Sequence, residues 1–420
     1  MASKPHPARQ RPGSRRLKIK HKAVANLEAE LLRRVRANRG LSRVDLAREL
    51  HLAPSTVGAY VDRLITEGFL SERQKAERDF GRPPTLLSLN PGGGRFIGVD
   101  FEAHNIMATV VDFSQEPMRQ IHKTIQASDS VEQIIRKIER AIEDLMNHHS
   151  REVLGIGVGM PGIIDTSRQM ALHYIHIPGM EKIALGKRLA DRFKVNVFLE
   201  NNIRSMALAE LWFGQGRGLN NFVCIGIRTG IGAGVIVQRR LLHGKSNLAG
   251  EIGDWLCPVA PIQACAGARD RTKGWTCDKL LPLEEIASVP AVLESVRIAV
   301  EKDPRSILAG RKGAITLEDV TQASRLGDPV VRRGLEGVAQ TLGWVVCQMD
   351  SLFNPEKIIL AGPLVIMLGE SLLAPVRKAV AQFCSELHQE APLVVDSELG
   401  NFNGALGAAA LALHEWKPKR

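Results

Sequence analysis

Apolar residues near the beginning of the chain recur three and four positions apart, which is the spacing of amphipathic helices. Three such stretches predict three helices, and Gly40 and Gly68 end the first and the third. Ser42 and Asp45 have the spacing of a capping box, which predicts that the second helix begins there. The apolar faces run from Val24 to Val35, from Val44 to Leu50 and from Val57 to Ile65.

The pattern then changes to short apolar runs that are typical of strands. Residues 69–73 and 85–89 predict two strands, joined by a charged loop. Three helices and a hairpin predict a winged helix-turn-helix over residues 24–90, whose third helix would enter the major groove of DNA. The predicted DNA contacts are residues of the third helix and one arginine of the wing: Ser55, Thr56, Tyr60, Arg63 and Arg82.

A second pattern follows a glycine-rich linker at 91–95. Strand-like runs, such as 153–160, 222–227 and 357–361, alternate with long helical patterns. The alternation predicts an α/β fold of two lobes over residues 96–420, with a ligand cleft between the lobes.

Charge supports the division into a DNA-binding part and a neutral part. The chain has a formal net charge of +11. Residues 1–95 hold 20 Lys and Arg against 9 Asp and Glu, and the rest of the chain holds 36 of each. A basic segment attached to a neutral domain is typical of proteins that bind a polyanion. A winged helix that only contacts other proteins is the alternative.

Residues 1–22 carry eight Lys and Arg and no acidic residue, so we expect a disordered basic tail over 1–23. Such a tail would contact phosphates or remain solvated. Aromatic residues make up 5% of the chain, which disfavours a base-stacking surface for single strands. No apolar run is long enough for a membrane span, and six scattered cysteines favour a reducing compartment. We therefore expect a cytoplasmic protein.

Several short motifs occur in order behind the winged helix. Together they resemble the ROK family, whose name stands for repressor, open reading frame and kinase. The resemblance covers about residues 24–415 and implies the actin-like ATPase fold of sugar kinases. The motifs are 160–165 (a Pro-Gly-x-x-Asp turn), 200–202 (Glu-Asn-Asn), 229–234 (the second phosphate loop), 249–253, 352–356 and 404–409.

Two departures from the family's kinases affect phosphate transfer. Asn202 stands where the kinases have the aspartate that accepts the proton of the sugar hydroxyl, and an amide cannot serve as that base. The first phosphate loop, Asp-x-Gly-Gly-Thr in the kinases, reads Asp100 to His104 here, and Glu102 adds a negative charge that would repel ATP. The departures predict a degenerate kinase that is not an enzyme. The alternative is an active ATP-dependent sugar kinase.

The family's structural zinc site is also altered. Asp254 replaces its histidine, Cys265 alone remains of a cysteine pair, and Pro282 replaces its last cysteine. A tetrahedral zinc site needs four converging ligands. We therefore expect no zinc and no other cofactor.

Sugar recognition can survive the loss of catalysis. The family's sugar-contacting positions are all polar in this chain, and they map to Asn201, Asn202, Glu251, Asp254 and Glu284. The sequence therefore predicts a transcription regulator of carbohydrate metabolism and favours a repressor over an activator. Its partners would be a double-stranded DNA operator and a sugar effector. A pocket that has drifted and binds nothing is the alternative, with a large domain that only dimerises. Because one winged helix reads a short half-site, we expect a homodimer or a tetramer.

Overall fold

The computed structural model describes residues 12–38, 40–74, 85–147, 152–174, 177–259, 280–383 and 391–418. The described chain begins with three helices and a two-stranded hairpin, which confirms the predicted winged helix-turn-helix. Both hydrogen bonds of the capping box are present, since Ser42 N donates to Asp45 Oδ2 (3.0 Å) and Asp45 N donates to Ser42 Oγ (3.2 Å). The elements are α1 (Pro12–Ala37), α2 (Arg43–Glu49), α3 (Pro54–Thr66), β1 (Leu70–Gln74) and β2 (Thr85–Leu89).

Helix α1 begins earlier than its apolar face predicts. The prediction of a disordered tail over residues 1–23 is wrong for residues 12–23, which are helical. No Pro or Gly interrupts residues 14–39, and Lys and Arg are good helix formers. Residues 1–11 lie outside the described part of the chain. The predicted linker at 91–95 forms one short 3-10 turn, Pro91–Gly93, and its last residue already belongs to the next strand.

The first lobe contains a five-stranded sheet of order β5-β4-β3-β6-β9. Strands β3, β6 and β9 are parallel, and β4 and β5 are antiparallel to their neighbours. The elements are β3 (Arg95–Phe101), β4 (Asn105–Asp112), β5 (Pro117–Thr124), α4 (Val131–Asn147), β6 (Val153–Met160), β7 (Ile163–Asp165), β8 (Met170–His173), α5 (Leu185–Phe193), β9 (Asn196–Asn201) and α6 (Asn202–Trp212).

The second lobe repeats this strand order in its own five-stranded sheet, β12-β11-β10-β15-β16. The predicted architecture of two α/β lobes is therefore confirmed. No helix in the described ranges is long and apolar enough to cross a bilayer. The elements are β10 (Phe222–Ile227), β11 (Ile231–Val237), β12 (Arg240–Leu241), β13 (Leu256–Pro258), β14 (Leu280–Pro282), α7 (Glu284–Ala287), α8 (Val289–Lys302), α9 (Leu317–Arg325), α10 (Pro329–Phe353), β15 (Lys357–Ala361), α11 (Pro363–Leu368), α12 (Glu370–Phe383), β16 (Val394–Asp396) and α13 (Asn403–Glu415).

Helix α13 returns to the first lobe and lies very close to its sheet. A Cβ atom added to Gly98 of β3 would stand 1.9 Å from the carbonyl oxygen of Ala405, and one added to Gly157 of β6 would stand 1.8 Å from that of Ala408. Contacts this short require glycine on the strands. The two glycines therefore let α13 pack backbone against backbone on β3 and β6.

Aromatic rings join the winged helix to the first lobe. Phe69, which precedes β1, lies 5.2 Å from Phe113 and 5.0 Å from Trp416 between ring centroids. Phe113 follows β4, and Trp416 follows α13. Buried side chains of the winged helix and of the first lobe thus form one continuous apolar cluster. The winged helix is therefore packed on the first lobe and is not merely tethered to it.

Gly157→Ala should destabilise the protein by at least about 2 kcal/mol, because the added methyl group meets a backbone carbonyl that cannot move independently. Gly58→Ala is the matched control. Gly58 lies inside α3, with no atom nearer than 4.0 Å to its added Cβ, so this change should be neutral or stabilising by up to about 1 kcal/mol. Urea denaturation of both variants measures the difference, and equal stabilities would contradict the packing described.

Candidate functional site

The outer face of α3 carries the predicted DNA contacts. Ser55 is exposed, and Thr56 and Tyr60 are half-buried. The residue before the helix, Ala53, provides no side-chain cap. Pro54 has no N–H group, and Thr56 N donates to the Ala53 carbonyl at 2.9 Å, so the Ser55 N–H is the group of the first turn that remains for a phosphate. Arg82 lies outside the described residues. Participation of these residues in DNA binding stays a prediction.

Arg63 has a structural partner that the sequence did not reveal. Its Nη1 donates to Oε1 of Glu28 in α1 at 3.2 Å. The Arg63 side chain is 46% exposed, whereas Glu28 is fully buried. The Arg63 guanidinium also lies over the ring of Tyr60, 5.5 Å from its centroid. Arg63 therefore ties α3 to α1, in addition to any contact with DNA.

A cavity of about 380 Å³ lies between the two lobes, within the usual range for small-molecule sites. All five residues predicted to contact a sugar line it: Asn201, Asn202, Glu251, Asp254 and Glu284. A larger cavity, of about 700 Å³, lies between α10 and α12 and contains none of them.

Asn201 and Asn202 stand at the beginning of α6 and have different roles. The Asn201 amide caps the helix, since its Oδ1 accepts from Ile203 N (2.9 Å) and Arg204 N (3.2 Å), and its Nδ2 donates to the Gly162 carbonyl (3.1 Å). The Asn202 amide makes no hydrogen bond within the described residues. Asn202 is therefore the freer of the two to bind a ligand.

A network of ion pairs and hydrogen bonds surrounds the first turn of α6. Glu200 accepts a hydrogen bond from Arg204 Nε at 2.8 Å and lies 2.7 Å from Nε2 of His243. Burial opposes the ionisation of Glu200, but His243 and Arg204 outweigh it and lower its pKa. Arg204 Nη1 donates to the Asn247 carbonyl at 2.7 Å. The network thus fixes α6 against the loop that leads to Glu251.

Three carboxylates form the opposite wall. Burial raises the pKa of Glu251, Arg204 lowers it, and the neighbouring Asp254 and Glu284 raise it further. Glu284, the first residue of α7, accepts a hydrogen bond from Ile231 N at 3.3 Å. Gly230 permits this approach, because a Cβ atom there would lie 2.7 Å from Glu284 Oε2. Asp254 is exposed at the end of a short 3-10 helix.

A buried ion cluster connects the two lobes beside the cavity. Arg228 follows β10 and donates through Nη1 to both carboxylate oxygens of Asp100, at 3.1 and 2.8 Å. Its Nε lies 3.1 Å from Glu102 Oε2. Burial raises the pKa of Asp100 to about 6, and Arg228 acts against this shift. The negative charge of Glu102 is therefore partly compensated, which weakens the expected repulsion of ATP.

The positions of the family's zinc ligands do not fit a metal where the structure describes them. Pro282 has no donor atom in its side chain, and Asp254 lines the cavity. Burial raises the pKa of the Cys257 thiol to about 11, which favours its protonated form. Cys265 lies outside the described residues, so the loss of zinc stays a prediction.

Sequence comparison assigns both parts of the chain. Residues 96–415 match the ROK family, and residues 27–71 match a winged helix-turn-helix DNA-binding domain. The chain belongs to the ROK family. The ROK match spans both lobes and the whole cavity, and the predicted combination of a DNA-binding transcription regulator with a sugar-kinase fold is confirmed.

Known ROK proteins similar to this chain include regulators of transcription. A xylose repressor of Caldicellulosiruptor bescii is 26% identical over 357 residues, which are 84% of this chain and 86% of that protein. The DNA-binding transcriptional dual regulator NagC of Escherichia coli K12 is 28% identical over 380 residues, 88% of each chain.

Solved structures show the same fold. A ROK family transcriptional regulator, described as a homologue of the E. coli Mlc protein, superposes with a TM-score of 0.76 at 23% identity and covers 94% of this chain and 96% of its own. A ROK family glucokinase from Streptomyces griseus, in complex with glucose and AMPPNP, superposes with a TM-score of 0.64 at 26% identity and covers 76% of this chain and 99% of its own.

Sequence reasoning missed four polar residues that line the cavity: Arg204, Arg228, His173 and Tyr174. A signal existed for two of them. Arg204 is a charged residue four positions after Glu200, and Arg228 directly precedes the second phosphate loop. The other two belong to the end of the β7–β8 hairpin and the residue after it, a segment without a clear periodic pattern.

Arg63→Ala should lower the free energy of unfolding by about 1–2 kcal/mol, between the values for exposed and buried ion pairs, because it leaves Glu28 buried without this partner. Arg48→Ala on α2 is the control, since its side chain is 76% exposed, and it should change stability by less than about 0.5 kcal/mol. Urea denaturation of the full chain provides the measurement. An unchanged stability together with lost DNA binding would assign Arg63 to DNA alone.

Proposed function

We propose that the kinase-like domain of this regulator binds a sugar without phosphorylating it, and that sugar binding changes the affinity of the winged helix for DNA. The observation that carries the proposal is the Asp100–Arg228–Glu102 cluster. In the kinases of this family, the loops that begin near Asp100 and Thr229 hold the phosphates of ATP. In this chain an arginine joins these two loops directly.

Asn202 supports the absence of phosphate transfer independently. General-base catalysis contributes about 10²- to 10⁴-fold to such reactions, and an amide side chain does not accept a proton near neutral pH. Asn202 nevertheless lines the cavity and offers both a donor and an acceptor to a hydroxyl group. The residue is therefore suited to recognition rather than to catalysis.

Two helices connect the proposed sugar site with the DNA-binding module. Helix α6 begins at Asn202 and ends at Trp212, whose ring stacks on His414 of α13 at 3.7 Å between centroids. The next aromatic residue, Trp416, packs on Phe69 of the winged helix. A shift of α6 on sugar binding would therefore reach the junction with the winged helix. Such coupling requires that the sugar has different affinities for two arrangements of the domains.

The partners follow from the two modules. A winged helix binds double-stranded DNA, and a homodimer or tetramer would present two such modules to a palindromic operator. The oligomeric state stays a prediction.

Gel-shift titration tests the coupling. The DNA is a fragment that the protein itself enriches from a random library, and the sugars are xylose, N-acetylglucosamine and glucose. We expect at least one sugar to change the DNA affinity of the wild type. Glu251→Ala should abolish that change, because it removes a carboxylate from the cavity, and should leave DNA binding without sugar intact.

Glu285→Gln is the matched control, since Glu285 is exposed on α7 and does not line the cavity. It should respond to sugar as the wild type does. A wild type whose DNA affinity no sugar alters would count against a sugar-responsive regulator.

Phosphotransfer is tested separately with ATP, Mg²⁺ and the same sugars, with the Streptomyces griseus glucokinase as positive control. Neither the wild type nor Asn202→Asp should phosphorylate a sugar. The variant restores the base, but Arg228 still joins the two phosphate loops. Robust ATP-dependent phosphorylation by the wild type would move the chain to the kinase branch of the family.

A further inference from the structure

Three features of the cavity that could hold an anionic group are already used within the protein. The Ile231 N–H group of the glycine-rich loop donates to Glu284. The first N–H groups of α6 donate to the Asn201 cap. The Arg228 guanidinium is bound by Asp100 and Glu102. A phosphate that bound to any of these three groups would have to displace an internal acceptor.

The charge of the cavity wall also disfavours an anion. Arg204 and Arg228 are the arginines that line it, no lysine of the described residues does so, and each arginine is paired with a buried carboxylate. Glu251 and Asp254 form no ion pair within the described part of the chain. Arg204 offsets part of the charge of Glu251, whereas Asp254 and Glu284 oppose the ionisation of that carboxylate. The wall contains the carboxylates of Glu102, Glu251, Asp254 and Glu284 and two arginines, so negative charge is in excess there.

We infer that the cavity selects a sugar that carries no anionic group, binds an amino sugar at least as tightly as its uncharged parent, and rejects sugar phosphates. This inference rests on the proposed sugar site and names the class of ligand that the site accepts. Asp254 is central to it, because this carboxylate replaces the histidine of the family's kinases. Like charges at contact distance in a partly desolvated site repel strongly.

Isothermal titration of the full chain measures the selection. The probes are glucose, glucosamine and glucose 6-phosphate, together with N-acetylglucosamine and its 6-phosphate, at about pH 6.5, where the amino group is protonated. We expect each phosphate to bind at least about tenfold more weakly than its parent sugar. Glucosamine should bind as tightly as glucose or more tightly.

Asp254→Asn removes the charge and keeps the size of the side chain. It should lower the ratio of glucosamine affinity to glucose affinity by about threefold or more. It should also reduce the difference in affinity between glucose and glucose 6-phosphate. Glu285→Gln, which removes an exposed carboxylate outside the cavity, should leave both ratios unchanged. Circular dichroism and thermal melting confirm that both variants fold.

Three outcomes would overturn the inference. A phosphate that binds as tightly as its parent sugar would refute the charge selection while leaving the sugar site in place. An unchanged glucosamine-to-glucose ratio in Asp254→Asn would refute the role of Asp254. If none of the uncharged or amino sugars binds the wild type, the proposed sugar site itself fails, and the inference fails with it.

Discussion

The close packing of α13 on the first sheet is the constraint on which the rest of the molecule depends. Gly98 and Gly157 of the sheet allow the backbone of α13 to approach it closely. Gly407 of α13 allows a similar approach of α6, since a Cβ atom on Gly407 would lie 1.6 Å from the Ser205 carbonyl oxygen. Helix α13 has no freedom to slide without opening these contacts. Its first turn reaches the carboxylate of Asp100, and the residue after its last turn reaches Phe69 of the winged helix. The same helix, α13, therefore contacts both the cleft and the DNA-binding module and fixes their positions.

The cleft retains the geometry of a kinase with a different distribution of charge. Arg228 brings a fixed cation to the position where the two loops meet, and Asp100 and Glu102 hold it there. The arrangement costs desolvation, since all three side chains are buried, and it is stable only because the charges are paired and hydrogen-bonded. The Arg228 cluster thus joins the two lobes through contacts within the protein itself.

Much of the fold could be predicted because it follows from local periodicity. The predicted strands at 153–160, 222–227 and 357–361 coincide with β6, β10 and β15 to the residue. Pairings between distant residues could not be predicted in the same way: the Arg228–Asp100 contact spans 128 positions, and the Arg63–Glu28 pair joins two helices whose apolar faces gave no information about their polar sides. The five cavity residues were found through the family motifs, whose order along the chain reflects the topology of the fold.

The early start of α1 was missed because its first turns are dominated by charged residues and lack a periodic apolar face.

Arg36 gives the junction between the winged helix and the lobes an unusual character. It is buried, its Nη1 donates to the Leu413 carbonyl at 3.5 Å, and its Nε and Nη2 have no hydrogen-bond partner within the described residues. Burial, with a contribution from Arg33, lowers its pKa to about 9. The aromatic rings of the junction favour the docked arrangement, while an incompletely paired guanidinium opposes it. The contact between the winged helix and the first lobe therefore combines favourable aromatic packing with the cost of burying an incompletely paired cation.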